Sequence, residues 1–366
     1  MANTSSKDRN DRLHETILAD LHEMDFRKSL RQDLQGVYEY YLDQDERNEL
    51  AEMGRLSRWF HMVGWLLKAI MLRLSPLRRL LFLVSVMLFL TGLAGDAFWL
   101  GVGFLVTMLI LLLELKDKAL AQEELQTGRL VQFALMPRED PTLPGWETWL
   151  FTRPAREVGG DLVDYLELQE DRLSLSLGDV SGKGLGAALH MAHLQSTLRA
   201  LAPRAKSLAE LGAELNTIIR RDGTPGRFMS LVYMELAPND DAVRLINTGH
   251  MPPIVIQHSG LAELSKGAAA LGLLTDLSVT EQTVNLQPGE LMVVYSDGLT
   301  EARSEDGEFF GRHRLLEILT TLRGIPAEDA GRCLLDAHEE FVGEAEPSDD
   351  LSMVVVRRMP RLEIGP

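Results

Sequence analysis

The order of apolar and polar positions divides the chain into three stretches of different character. Up to about residue 75 the sequence is charged, and apolar positions recur at helical spacing, as in Leu13, Ile17 and Leu21 and again in Leu34, Val37 and Tyr41. Such spacing predicts helices with one buried face, a helical N-terminal regulatory region over 1–75. From Leu80 the apolar pattern becomes continuous. LLFLVSVMLFLTGLAG carries no charge as far as Asp96, and AFWLGVGFLVTMLILLL carries none as far as Glu114. Each run is at the short end of the roughly 17 to 25 residues that a spanning helix needs. The pair reads as a two-helix membrane hairpin over 76–115, with a buried hairpin of a soluble domain as the alternative. Arg73, Arg78 and Arg79 precede the first run, and Lys116 and Lys118 follow the second. Under the positive-inside rule both ends are expected on the cytoplasmic face of the inner membrane, with the following domain in the cytoplasm.

The next string, LELKDKALAQEELQTGRLVQFALMP, keeps helical spacing until Pro137 and predicts a linker helix over 116–137. Its heptad is imperfect, with Gly128 inside it, but it would allow a homodimer contact between two linker helices. From about Trp146 onward the pattern turns to strands. In RLSLSLGDV, Leu173, Leu175 and Leu177 alternate with Ser174 and Ser176, which predicts a half-buried strand ending at Gly178 and Asp179. FMSLVYMEL, AVRLIN, PPIVIQ, LMVVYS and SMVVVRR predict further strands, and 186–201, 208–221, 314–322 and 328–341 read as helices. Grouped strands separated by helical pairs predict an α+β domain over 138–366, two sheets flanked by helices rather than a regular βαβ alternation.

Composition narrows the partners. The 366 residues hold 37 Lys and Arg against 54 Asp and Glu, and a net charge of −17 argues against a binder of phosphate backbones. No nucleic acid partner is expected. The single cysteine, Cys333, has no second thiol to pair with, which suits a reducing compartment. The polar start MANTSSKDRNDR predicts no cleavable signal peptide.

The chemistry concentrates in acidic residues at predicted strand ends: Asp161 in VGGD, Asp179 in GDVSGKG, Asp297 in YSDG, and Asp349 with Asp350 in DDLS. Taken one at a time, such residues read as turn formers. Four at sheet ends of one domain supply the oxygen ligands that a hard divalent cation takes. GDVSGKGLG follows a strand and opens a helix, the setting of a phosphate loop, but its spacing fits neither a P-loop nor a dinucleotide fingerprint. A carboxylate at Asp179 would repel a bare phosphate unless a cation stood between them.

Together the strings REVGGD, GDVSGKG, NTGHMPP, YSDGLTEA and DDLS, in this order and spacing, resemble the metal-dependent (PPM) serine/threonine protein phosphatases, in the bacterial branch typified by the sporulation stage II E phosphatase. The resemblance covers about 130–358. It implies a four-layer α-β-β-α sandwich with two Mn²⁺ or Mg²⁺ ions in a cleft at one edge. Carried over by position, Asp179 would bridge both ions and the carbonyl of Val180 would bind one of them. Asp297 and Asp349, the latter in preference to Asp350, would hold the other ion, and Asp161 would contribute directly or through water. Arg156 matches a phosphate-binding arginine, and a guanidinium fork suits a phosphate dianion. The implied activity is phosphoserine/phosphothreonine protein phosphatase by a two-metal-activated water, with a phosphorylated anti-sigma-factor antagonist or a similar signalling protein as substrate. A catalytically inactive signalling scaffold of the same fold is the alternative. The position two residues after Asp179, a histidine in other branches, is Ser181 here, so the general acid is left open. His250 reads as structural in its Gly- and Pro-rich turn, and Lys183 as either a substrate contact or a solvated side chain.

Overall fold

The computed structural model describes residues 49–360 apart from 51, 52, 94, 96 and 225. The helices expected around 13–21 and 34–41 lie outside the described residues, as does Asp96. The chain divides into two compact units, Met1–Ala119 and Leu120–Pro366.

In the first unit, α1 (Arg55–Arg73) is followed by α2 (Pro76–Leu93), which opens on a proline whose missing N–H costs a helix start nothing, and by the start of α3 (Ala97–Leu135), whose residues from Leu120 onward belong to the second unit. The second apolar run and the linker sequence are thus parts of one helix of 39 residues. α2 and the start of α3 approach through small residues. A Cβ on Gly103 would stand 3.2 Å from the Ser85 carbonyl oxygen, and the Ser85 hydroxyl bonds the Thr107 hydroxyl at 2.5 Å. Close backbones joined by hydroxyls are what helices use when no water is available to drive them together. At the open end of the pair, Arg78 bonds Glu114 at 2.7 Å and Asp117 at 2.6 Å. Both helices are long and apolar enough to cross a membrane, and only 11% of each apolar stretch is buried.

The second unit is built from two antiparallel sheets of five strands each. One runs β1 (Trp146–Arg153), β10 (Leu351–Arg358), β9 (Leu291–Tyr295), β6 (Ile254–Gln257), β7 (Gly260–Glu263). The other runs β2 (Leu162–Glu167), β3 (Leu173–Val180), β4 (Met229–Leu236), β5 (Ala242–Thr248), β8 (Gln282–Asn285). Three apolar layers hold it together. Between the sheets lie Leu173, Leu175, Leu177, Val232, Met234, Met292 and Val354. α4 (Leu185–Leu201) and α5 (Leu208–Asp222) cover the second sheet through Met191, Leu194, Leu211 and Leu215. α7 (Gly311–Thr321) and α8 (Ala327–Val342) cover the first through Leu315, Leu319, Ala330 and Leu334. The result is a four-layer α-β-β-α sandwich, as the motifs implied.

Strand β3 departs from its expected half-burial. Its serine face is closed off as completely as its leucine face, with Ser174 and Ser176 each only 2% exposed. Helices lie over this face, and serine is small enough to sit beneath them while its hydroxyl donates back to the neighbouring strand: Ser176 to the Asp164 carbonyl at 3.3 Å, Ser174 to the Leu166 carbonyl at 3.4 Å.

Candidate metal centre

The acidic residues collect where the two sheets end side by side. Asp161 immediately precedes β2, and Asp179 is the penultimate residue of β3 in the same sheet. Asp297 opens the one-turn helix α6 (Asp297–Thr300) directly after β9, and Asp349 and Asp350 lead into β10 in the facing sheet. Two glycines let the loops close on each other. A Cβ on Gly160 would come within 3.0 Å of the Val180 carbonyl oxygen and 3.5 Å of an Asp179 carboxylate oxygen. One on Gly298 would collide with the Asp350 carbonyl oxygen at 2.0 Å. The backbone beside Asp161 therefore touches the end of β3, and the backbone beside Asp297 touches the start of β10.

Electrostatics report the same gathering. Burial pushes the Asp179 carboxyl up to about 7, with the charges of Asp297, Asp349 and Asp350 adding to the shift. Burial, then the Asp179 charge, holds Asp161 well above the usual carboxylate range. Burial and Asp349 raise Asp297. Like charges gathered in this way disfavour the ionised form of Asp179, and a cation among them would favour it. One oxygen of Asp161, Oδ2, is buried without a hydrogen-bond partner, an expensive state that an ion or water would relieve.

The two members of the DDLS pair differ in what they hold. Asp350 is 8% exposed and spends its carboxylate on backbone, accepting from Gly160 N at 2.6 Å and from Ala155 N at 2.8 Å. Asp349 is more open and accepts from Lys183 Nζ at 2.8 Å. Asp350 thus fastens the VGGD loop, and Asp349 keeps an oxygen turned to a cation. Among the described residues no three carboxylates, imidazoles or thiols stand close enough to cage an ion as they are. The donors nevertheless fit one in kind: oxygen ligands only, mutual repulsion, an orphaned buried oxygen, and an ammonium already seated on Asp349.

Arg156 is exposed and lies on the rim of a shallow depression shared with Gly160, Gly182, Lys183 and Asp349. His250 is structural by its bonds. Its Nδ1 shares a 2.7 Å hydrogen bond with the Ser230 hydroxyl, and its Nε2 lies 3.1 Å from the Tyr295 carbonyl. Burial lowers its pKa to about 4, so the ring is neutral at ordinary pH. Ser181 is likewise pinned, its hydroxyl accepting from Phe228 N at 3.0 Å and its carbonyl from Arg227.

One residue that the sequence did not single out is Gln132, near the end of α3. It is 3% exposed, and its amide grips Gly159 from both sides, Nε2 donating to the carbonyl at 2.8 Å and Oε1 accepting from the N–H at 3.0 Å. The two residues that follow Gly159 are Gly160 and Asp161. Its only sequence signal is an uncharged polar side chain between Val131 and Phe133 in LVQFALMP.

The family described as stage II sporulation protein E (SpoIIE) matches residues 169–359, just over half of the chain. The chain belongs to this family. It is 29% identical over 277 residues to protein IcfG of Synechocystis, a match that takes in 67% of the chain and 43% of that protein, so the chain spans less than half of this relative's length. It is 22% identical over 239 residues to phosphoserine phosphatase RsbU of Bacillus subtilis, covering 65% of the chain and 70% of RsbU. Among solved structures, the SiaA-PP2C domain of Pseudomonas aeruginosa superposes with a TM-score of 0.57 at 21% identity, over 66% of this chain and 98% of that one. This last likeness establishes the PP2C-type fold.

Proposed function

We propose that the chain is a metal-dependent phosphoserine/phosphothreonine protein phosphatase acting on a phosphorylated anti-sigma-factor antagonist or a similar signalling protein. The observation that carries this reading is the convergence of Asp161, Asp179, Asp297 and Asp349 from four separate stretches onto the facing ends of two sheets, with Asp179 raised to about 7. Mn²⁺ or Mg²⁺ ions bound there would lower the pKa of a water and offset phosphoryl charge, which is the chemistry that phosphomonoester hydrolysis needs. Asp179, the Val180 carbonyl, Asp297, Asp349 and Asp161 are the groups that would hold them. Arg156, which lines the same depression as Asp349, would orient a phosphate with its two-pronged donor face. Asp350 and Gln132 keep the Gly159–Asp161 loop in position without touching substrate. The name phosphoserine phosphatase borne by RsbU supports the substrate class.

Residues 1–75 form a regulatory region, 76–115 a hairpin in the cytoplasmic membrane, 116–137 a linker, and 138–366 the phosphatase domain facing the cytoplasm. Leu130, Val131 and Phe133 are exposed apolar residues on α3, which supports a homodimer through this helix.

The test is release of phosphate from a phosphoserine protein with and without Mn²⁺. Turnover is expected only with the metal, and Asp179→Asn should reduce it by roughly three orders of magnitude, about 4 kcal/mol of barrier. A metal-loaded protein that binds its partner without turnover would instead support the scaffold reading.

A further inference from the structure

Lys183 lies in the loop between β3 and α4, flanked by Gly182 (φ +102°) and Gly184 (φ +74°), both in the left-handed region. Its Nζ donates at 2.8 Å to Asp349 Oδ2 and at 2.8 Å to the Ser348 carbonyl. The ammonium therefore sits on a carboxylate that the proposed function assigns to a divalent ion. It is poorly anchored there. The Lys183 side chain is 49% exposed, its partner Asp349 38%, and an ion pair this open is weak. Asp350, next in sequence, is by contrast tied down by Gly160 and Ala155. A hard dication with oxygen ligands outcompetes a single ammonium at such a place, because it brings twice the charge and directs it at the same oxygens. The flexible four-carbon stem lets the displaced head move a few ångströms. Lys183, Asp349 and Arg156 line the same small depression.

We propose that Lys183 is a movable counter-ion that neutralises Asp349 in the metal-free protein and, once a divalent cation takes that carboxylate, turns into the Arg156 depression to meet the phosphoryl group of the substrate. Metal loading and phosphate recognition are thereby coupled through one side chain, and the metal-free site is kept from repelling itself apart. The inference rests on the reading of Asp349 as a metal ligand.

The experiment is competitive acetylation of the full chain in detergent by acetic anhydride, read lysine by lysine by mass spectrometry, with bound Mn²⁺ measured on the same sample by elemental analysis. Lys183 labelling should rise several-fold on adding Mn²⁺, while the labelling of Lys206 and Lys266 stays level. If Mn²⁺ is retained and Lys183 labelling is unchanged, the counter-ion proposal is overturned and the metal reading stands. If no Mn²⁺ is retained by the folded chain, the metal reading falls and takes the proposal with it. Lys183→Met supplies a second readout: Mn²⁺ should bind several-fold tighter, and inorganic phosphate should bind the Mn²⁺-loaded protein several-fold more weakly. A fixed, merely structural lysine would leave the phosphate affinity of the loaded protein unmoved.

Discussion

Burial acts on Asp179 and His250 in opposite senses, and the difference decides their roles. For the carboxyl it favours the protonated form, and three neighbouring carboxylates add to the shift, so Asp179 asks for a cation. For His250 it favours the neutral ring, and both ring nitrogens are already engaged, so the imidazole has no proton traffic to offer. Since the folded-state pKa of His250 lies near 4 and the ordinary value is 6.5, the unfolded chain takes up more protons between those values. Stability from this residue is complete above pH 6.5 and is lost as the pH falls toward 4. His250→Gln, which keeps a donor for the Tyr295 carbonyl and an acceptor for Ser230, should flatten the acid side of the stability curve by at most about 1.4 kcal/mol per pH unit. Denaturant titrations at pH 7 and 5 would show it, and an unchanged slope would contradict the assignment. The same variant should retain activity if the ring is structural. The carboxylates were legible in the sequence because each sits at a strand end beside a glycine or a second acid: Asp161 after Gly160 and before β2, Asp179 after Gly178 in β3, Asp297 before Gly298 after β9, and Asp349 beside Asp350 before β10. The division of labour between Asp349 and Asp350 was legible only as a preference, since it depends on which of them meets the amides of Gly160 and Ala155.

At the scale of elements, the strands β3, β4, β9 and β10 and the four packed helices follow the apolar patterns closely, because each presents several apolar positions to a core. The edge strands carry weaker patterns: four-residue β7 and β8 hold too few positions for a period to show, and β1 and β2 interrupt their apolar positions with Glu147, Thr148 and Asp164, so none of the four stands among the predicted strands. The burial of Ser174 and Ser176 was likewise invisible, because alternation reports which residues are apolar and not whether a helix covers the other face. Gln132 was missed for a related reason: its partner Gly159 lies 27 residues away, and their meeting depends on how α3 runs across the domain. Gln132→Ala leaves the N–H and carbonyl of Gly159 unpaired in a buried place and should cost about 2 kcal/mol of stability. Because this loop carries Asp161, the variant should also need more Mn²⁺ for half-maximal thermal stabilisation. Equal metal dependence in variant and wild type would mean that the clamp serves packing alone.

For the molecule as a whole, two long exposed apolar helices and a sandwich with a buried core of its own ask for different surroundings. The apolar surface of α2 and α3 is costly in water, and in lipid its backbone is already satisfied by helical bonds. The full chain is therefore expected to sediment with membranes and to be released by detergent but not by high salt. Residues 120–366 should remain in the soluble fraction. A full chain that stays soluble without detergent would favour the alternative of a hairpin packed against protein.

The proposed activity depends on acidic side chains from four stretches of sequence sharing divalent ions. The direct measurement is equilibrium binding of Mn²⁺ to residues 120–366 by isothermal titration calorimetry, beside Asp179→Asn. Two ions per chain are expected for the wild type and weakened binding of both in the variant, because the proposed site would have them share Asp179. Folded protein that takes up no Mn²⁺, or an Asp179→Asn protein that binds it as well as the wild type, would contradict it.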